Sequence, residues 1–156
     1  MTDQLPDPPV PKNCDLSGFN FMPLDCIRLV QSDMCALSNG EEFKCAVILW
    51  CKSWASVPSG SLTDDDRILS HLAGLNMAKW LKVKDMAMRG WYKASDGRLY
   101  HPVIAEKALE AWSHREKQRA RSRKGNEVRW GQQNASHGDP LGIPEGVPNH
   151  RKGQGQ

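Results

Sequence analysis

Residues 62–101 read LTDDDRILSHLAGLNMAKWLKVKDMAMRGWYKASDGRLYH, and this stretch decides the fold. A first helix is predicted to begin at Thr63, with Asp66 in the capping-box position and apolar residues recurring on one face. Gly74 favours a left-handed helix end, and Asn76 is a good cap for a second helix. Only the three residues from Gly74 to Asn76 separate the two helices, which is typical of a helix-turn-helix.

The second predicted helix, after Asn76, has an apolar side and an outward side. A helical wheel gives the apolar side to Met77, Trp80, Leu81, Val83, Ala87 and Met88, and the outward side to Ala78, Lys79, Lys82, Asp85 and Met86. Lys84 falls among the apolar positions, and the pattern does not explain it. Two lysines are therefore expected to point to solvent.

A short β-hairpin is predicted directly after this helix. Residues 91–93 and 98–101 are rich in aromatic side chains and flank Ser95-Asp96-Gly97. Asp-Gly between two such runs is a strong hairpin signal. The hairpin is short enough to be a wing, so the fold expected is mainly α, a winged helix-turn-helix with a basic C-terminal helical extension.

Length and composition predict one domain with tails. The chain has 156 residues, of which 39% are hydrophobic, and this suits one modest core rather than two. We expect a Pro-rich N-terminus at residues 1–18, disordered or loosely draped over the domain, and the winged-helix domain at 19–112. A basic arm should follow at 113–131 and a disordered tail at 132–156.

Two further helices are predicted around the helix-turn-helix. One runs from Asn39 or Gly40 to about Ala55, is apolar over most of its circumference, and is expected to be the central core helix. The other begins near Pro102, which suits the first turn of a helix. Beyond Trp112 the helix that begins near Pro102 either continues as a basic arm or frays, and Gly125 is its expected end.

Charge is distributed unevenly along the chain. Residues 1–66 carry 4 basic and 10 acidic side chains, whereas residues 67–130 carry 15 and 6. Residues 113–130 alone have seven Lys or Arg against two Glu. A positive field of this kind favours a polyanionic partner, and nucleic acid is the obvious one, although anionic lipid or an acidic protein would also match.

Catalytic and metal-binding patterns are absent from the sequence. The five cysteines form no CxxC pair, and no glycine-rich phosphate loop or nucleophile elbow occurs. The three carboxylates from Asp64 to Asp66 diverge around a helix and are better explained by capping than by a metal. We therefore expect no enzymatic activity, no metal and no cofactor.

No apolar run approaches the length of a membrane span, and the N-terminus lacks the features of a signal peptide. A soluble protein without a membrane partner is expected, located in the cytoplasm and associated with the nucleoid of a bacterial host.

The helix-turn-helix interpretation predicts how the protein would contact DNA. The second helix of such motifs lies in the major groove while the first crosses the backbone. The residues predicted to contact DNA are Arg67, Lys79, Lys82, Arg89, Lys93, Arg98, Arg115, Lys117, Arg119, Arg121, Arg123, Lys124 and Arg129. The outward face of the second helix lacks Arg, Gln and Asn, so phosphate binding with weak sequence preference is expected.

Short motifs along residues 19–131 occur in a characteristic order. They are Phe21-Met22-Pro23-Leu24, Leu37-Ser38 with Glu41-Glu42, a helix ending at Trp54, Leu62 with Asp64-Asp65-Asp66, Trp80, Asp96-Gly97, and Arg123-Lys124-Gly125 with Arg129-Trp130-Gly131. In this order the chain resembles the YdaU-like family of phage and prophage proteins, a family of unknown function associated with replication modules. The resemblance implies a winged-helix fold and a role near the initiation of phage DNA replication, and it carries over no catalytic residues.

Two functions from different classes follow as expectations. The first is a DNA-binding winged-helix protein of phage or prophage origin, acting on duplex or forked DNA in replication initiation or replisome organisation. The second is a non-catalytic adaptor whose winged helix binds a protein of the phage or host, such as a replicative helicase or a helicase loader. Binding to DNA at low salt would distinguish them.

Overall fold

The structure is a computed structural model that describes residues 4–135. The helices in this range are α1 (Cys26–Val30), α2 (Asp33–Leu37), α3 (Gly40–Trp54), α4 (Asp66–Ala73), α5 (Met77–Ala87) and α6 (Pro102–Ala135), and the strands are β1 (Ser61–Thr63), β2 (Tyr92–Lys93) and β3 (Arg98–Tyr100). The chain divides into two compact units, the first ending at Lys117 and the second beginning at Gln118.

The winged helix-turn-helix is confirmed. Gly74 has a left-handed backbone with φ of 73°, and the Asn76 side chain accepts a hydrogen bond from the Lys79 amide, so both predicted caps of the turn are present. After α5, strands β2 and β3 pair antiparallel as the wing, and β1 pairs with the other side of β3. The fold is mainly helical with a three-stranded antiparallel sheet in the order β1-β3-β2.

The start of α4 differs from the prediction. Thr63 does not cap the helix, because it belongs to β1 and pairs with Arg98 of β3. The cap is Asp65, whose side chain accepts hydrogen bonds from the amides of Arg67 and Ile68. A three-residue strand is too short to show an alternating pattern, and its partner lies far along the chain. Local sequence therefore could not reveal β1.

The prediction that α3 is the central core helix is confirmed. It begins with a capping box in which Asn39 and Glu42 exchange hydrogen bonds. Trp50 and Trp54 enter a first core cluster with the N-terminal segment, the wing and α6, while Leu49 enters a second cluster with α4 and α5. One helix thus supplies both clusters of the first unit.

The N-terminal segment is packed on the domain over the described residues 4–18, whereas the sequence predicted that residues 1–18 are disordered or loosely draped over it. Val10, Cys14 and Leu16 are buried in the first core cluster, and the Ser59 amide donates a hydrogen bond of 2.8 Å to the Cys14 carbonyl. The segment has no helical or strand periodicity, so its apolar residues gave no signal. Its prolines already restrict the chain, which lowers the entropy lost on docking.

Helix α6 is longer than predicted. It continues through Gly125, the expected stop, and reaches Ala135, so residues 132–135 of the predicted disordered tail are helical. A glycine inside a helix costs only about 1 kcal/mol relative to alanine, and the Arg, Lys, Gln and Glu residues around it favour helix. The remainder of the predicted tail, residues 136–156, lies outside the described residues.

Candidate nucleic-acid interface

The three consecutive aspartates before and within α4 have three different partners. Asp64 lies 2.9 Å from Lys93 Nζ, Asp65 caps the helix, and Asp66 faces α5. Asp66 therefore does not complete a capping box. Over residues 4–135 no group of three or more His, Cys, Asp or Glu side chains could hold a metal ion.

Asp66 determines how α5 is held against α4. Its Oδ1 accepts a hydrogen bond of 2.9 Å from the indole Nε1 of Trp80, and Lys84 Nζ lies 2.8 Å from the same oxygen. The hydrogen bond from Lys84, and then that from Trp80, holds the pKa of the Asp66 carboxyl below its usual range. Lys84, which the helical wheel left unexplained, is thus an ion-pair partner beneath the outer face of α5.

The outer face of α5 has the charged side chains that the sequence predicted there. Lys79 and Lys82 are exposed as predicted, and within residues 4–135 neither makes an ion pair. Asp85 is exposed as well, and Leu81 is 57% exposed. The face can contact phosphate groups, but it has little charge and no side chain suited to bidentate base contacts.

Three apolar residues of α5 lie on the opposite side from the prediction. Met77 and Leu81, expected in the core, are exposed, whereas Met86, expected outside, packs against the first core cluster. The buried strip is centred on Trp80, Val83 and Ala87, and it is narrower than the broad apolar side of the wheel. Apolar residues outside that strip therefore reach solvent.

The cations of the wing are engaged within the protein. Lys93 pairs with Asp64, and Arg98 Nε donates a hydrogen bond of 2.8 Å to Ser61 Oγ on the neighbouring strand. At the turn, Asp96 accepts hydrogen bonds from the Arg98 amide and the Tyr100 hydroxyl. To contact DNA, Lys93 would have to exchange its carboxylate partner for phosphate, which reduces its contribution to binding.

Two other predicted contacts have structural partners. Arg89 lies 2.8 Å from Asp33 at the start of α2. Arg115 donates a hydrogen bond of 2.7 Å to the Asp15 carbonyl and lies over the Phe19 ring, 5.4 Å from its centroid. Both arginines therefore join distant parts of the first unit, whereas Arg67 is exposed and makes no ion pair in the described chain.

Among the residues that the structure describes, the later part of α6 has the highest density of exposed positive charge. Every residue from 118 to 135 is exposed, and this range has five basic side chains against one acidic side chain, Glu127. The predicted contacts Arg119, Arg121, Arg123, Lys124 and Arg129 belong to it, and Lys117, the last residue of the first unit, is also exposed. None of the six makes an ion pair in the part of the chain that the structure describes.

Asn126 is a polar residue of this helix that the sequence reasoning missed. It follows Gly125 and was therefore placed beyond the end of the helix. In the structure it lies inside α6, seven positions after Arg119 and three after Arg123, which are helical spacings. The sequence feature that could have placed Asn126 in the helix is the helix propensity of the residues on both sides of Gly125, summed over several turns.

A small cavity lies elsewhere in the first unit, among α1, α2, α3 and the beginning of α6. Its volume is about 140 Å³, and Arg28, Trp50 and His101 are among its lining residues. Burial, and then the charge of Arg28, lowers the pKa of His101 to about 4, so this histidine is neutral near pH 7.

One comparison with known proteins gives a match. The model of a family described as protein of unknown function (DUF1376) matches residues 20–108. The chain belongs to this family. The DUF1376 match covers α1 to α5, the sheet and the first turns of α6, and it ends before the basic residues 117–129. No curated protein and no solved structure matches the chain.

The DUF1376 family has no assigned function, so membership adds none to this chain. Within residues 4–135 no helix is both long and apolar enough to traverse a lipid bilayer.

Proposed function

We propose that the chain is a DNA-binding protein of phage or prophage origin that acts in DNA replication initiation or replisome organisation. The observation that carries DNA binding is the set of six exposed cations from Lys117 to Arg129, which make no ion pair among the described residues and occur in the same chain as a winged helix. The resemblance to the YdaU-like family supports the place in replication. The winged helix alone would support the proposal weakly, because several of its cations are engaged internally.

Binding should depend chiefly on phosphate contacts. Each neutralised phosphate releases a condensed counterion, so affinity falls as salt rises. If the six cations from Lys117 to Arg129 all contact phosphates, the plot of log K against log salt has a slope of roughly −5. Arg67, Lys79 and Lys82 would add contacts from the helix-turn-helix.

Fluorescence anisotropy tests the proposal with duplex, single-stranded and forked DNA over a series of salt concentrations. Replacing the six cations from Lys117 to Arg129 by Gln should remove most of the affinity and make the slope shallower by roughly 5. Changing Lys79 and Lys82 to Glu should weaken duplex binding, because two phosphate contacts become repulsive.

Lys12 and Lys52 provide the matched control for the second variant, since both are exposed and lie outside the helix-turn-helix and α6. Their change to Glu alters the net charge equally and should have a much smaller effect. Absence of binding to any of the three DNA forms at low salt would refute the proposal.

A second candidate is the protein-binding adaptor, and a separate observation favours it. Large apolar side chains are exposed in and around α1 and α2, with Phe21 at 86%, Ile27 at 68% and Val30 at 66% exposure. Exposed apolar patches often mark contacts with other proteins. A replicative helicase or a helicase loader is the partner expected from the proposed role.

The adaptor hypothesis predicts that a different set of substitutions impairs binding. Changing Ile27 and Val30 to Asp should abolish binding to a purified helicase or loader and leave DNA affinity unchanged. If the six-Gln variant of α6 abolishes that protein contact instead, the apolar patch is not the docking surface.

A further inference from the structure

We propose that the C-terminal part of α6, and not the recognition helix α5, reads base edges in the major groove of duplex DNA. Arg119, Arg123 and Asn126 are the reading residues. This inference rests on the proposed function, because it requires that the chain binds DNA. It adds a sequence preference, whereas the sequence predicted phosphate binding with little specificity.

Helix α6 continues without a break through Gly125. An α-helix turns by about 100° per residue, so Arg119, Arg123, Asn126 and Trp130 fall within an arc of about 60°. With a rise of 1.5 Å per residue, Arg119 and Asn126 are separated by about 10 Å along the axis, or roughly three base-pair steps. A helix that ended at Gly125 would not align these side chains.

This face, which we call the α6 reading face, comprises Arg119, Arg123, Asn126 and Trp130, and its Arg and Asn side chains can form hydrogen bonds with base edges. Arg donates two hydrogen bonds to O6 and N7 of guanine, and Asn makes the corresponding pair with N6 and N7 of adenine. The outer face of α5 has neither residue type; its exposed side chains are Met77, Ala78, Lys79, Leu81, Lys82 and Asp85.

The exposure and the positive charge of this part of α6 also suit it to the major groove. All residues from 118 to 135 are exposed, and a continuous basic helix can lie in the major groove, as the basic regions of leucine-zipper proteins do. Glu127, the only acid in this range, lies about 80° from Arg119, at the edge of the reading face. It makes no ion pair with the reading arginines within the described chain.

The remaining cations of this helix have a different position. Arg121 and Lys124 lie about 160° and 140° away from Arg119, on the far side of the helix, and Arg129 lies about 80° to one side. They supply attraction to the phosphates without reaching base edges. Arg121 is therefore a matched control for Arg123, since both are exposed arginines of the same helix.

The test uses the full chain and a duplex library with a randomised central segment. Rounds of selection should converge on a short preferred site. Anisotropy against the selected and a scrambled duplex then gives the preference of the chain and of each variant. Arg123→Lys keeps the charge and removes the bidentate geometry, so it should reduce discrimination at one base pair by roughly 5- to 150-fold.

Asn126→Ala should reduce discrimination at a second base pair by a similar factor. Helix content measured by circular dichroism should not fall, because alanine favours helix more than asparagine does. Arg121→Lys should leave the preference unchanged. In all three variants, affinity for the scrambled duplex and its salt slope should change little, since Arg123→Lys and Arg121→Lys preserve charge and Asn126 is neutral.

Several outcomes would overturn the inference without affecting the proposed function. The chain could bind duplex DNA with no preferred sequence, or Arg123→Lys and Asn126→Ala could both leave the preference intact. Loss of the preference on changing Lys79 and Lys82 to Ala would assign the reading to α5. Stronger binding to single strands than to the selected duplex would also contradict it, and no DNA binding at low salt would refute both proposals.

Discussion

At the scale of single residues, His101 is a histidine whose pKa is lowered by burial. Its ring centroid lies 5.6 Å from that of Trp50 and 5.5 Å from that of Trp91, and its Nδ1 is buried without a hydrogen-bond partner in the described structure. A Cβ at Gly90 would lie 3.1 Å from His101 Nε2, and Gly90 also has a positive φ of 86°. Burial of Nδ1 without a hydrogen-bond acceptor therefore disfavours the imidazolium.

Stability should depend on pH because of His101. Its pKa of about 4 in the folded protein is below the ordinary value of 6.5, so the unfolded chain binds the proton more readily between these values. The free energy of unfolding should accordingly fall by about 2 kcal/mol from pH 7.5 to pH 5. Urea denaturation at the two pH values measures it.

The control for this prediction is His101→Phe, which retains an aromatic ring and removes the titration. Its free energy of unfolding should change much less over the same interval. An equal fall in the variant would assign the pH dependence to other groups.

Among the secondary-structure elements, the sequence predicted those that depend on interactions between residues close together in the chain. The capped turn between α4 and α5, the Asp96-Gly97 hairpin and the core helix α3 each depend on caps, turn residues or periodicity within a few positions. Strand β1 and the docking of the N-terminal segment were missed, because they depend on partners far along the chain. The contact of Asp66 with α5 belongs to this second class.

Removing the Asp66 side chain should loosen α5 from α4. Asp66→Ala leaves the indole N–H of Trp80 without an acceptor, and Trp80 is fully buried, so a loss of about 1 to 3 kcal/mol in the free energy of unfolding is expected. Lys84→Met removes only the ion pair, whose partners are each more than a third exposed, and should cost less than about 1 kcal/mol. Denaturant unfolding of the two variants distinguishes these effects, and equal losses would show that the Trp80 hydrogen bond is unimportant.

For the molecule as a whole, the distribution of charged residues in the sequence located the basic region, but it did not show which of its cations have partners within the protein. Arg89, Lys93, Arg98 and Arg115 are all engaged with other parts of the protein, and their partners Asp33, Asp64, Ser61 and Asp15 lie more than 25 residues away in sequence. Only the fold brings these pairs together. The six cations from Lys117 to Arg129 make no ion pair within residues 4–135.

Truncation after Lys117 should separate folding from binding. All residues of the two core clusters precede this point, so the shortened chain should keep a cooperative thermal transition close to that of the full chain. Its affinity for DNA should fall sharply, because five of the basic residues of α6 are removed. Calorimetry and anisotropy measure the two effects, and unchanged affinity would place the binding surface in the winged helix.

The six tryptophans also divide between the two units. Trp50, Trp54, Trp80 and Trp112 are buried and Trp91 is half-buried, all in the first unit, whereas Trp130 in the second unit is 66% exposed. Trp130 is thus a native optical reporter of the reading face. Its emission should be quenched by acrylamide more readily than that of the buried and half-buried tryptophans. Protection from the quencher on addition of duplex would follow the engagement of α6 without any attached dye.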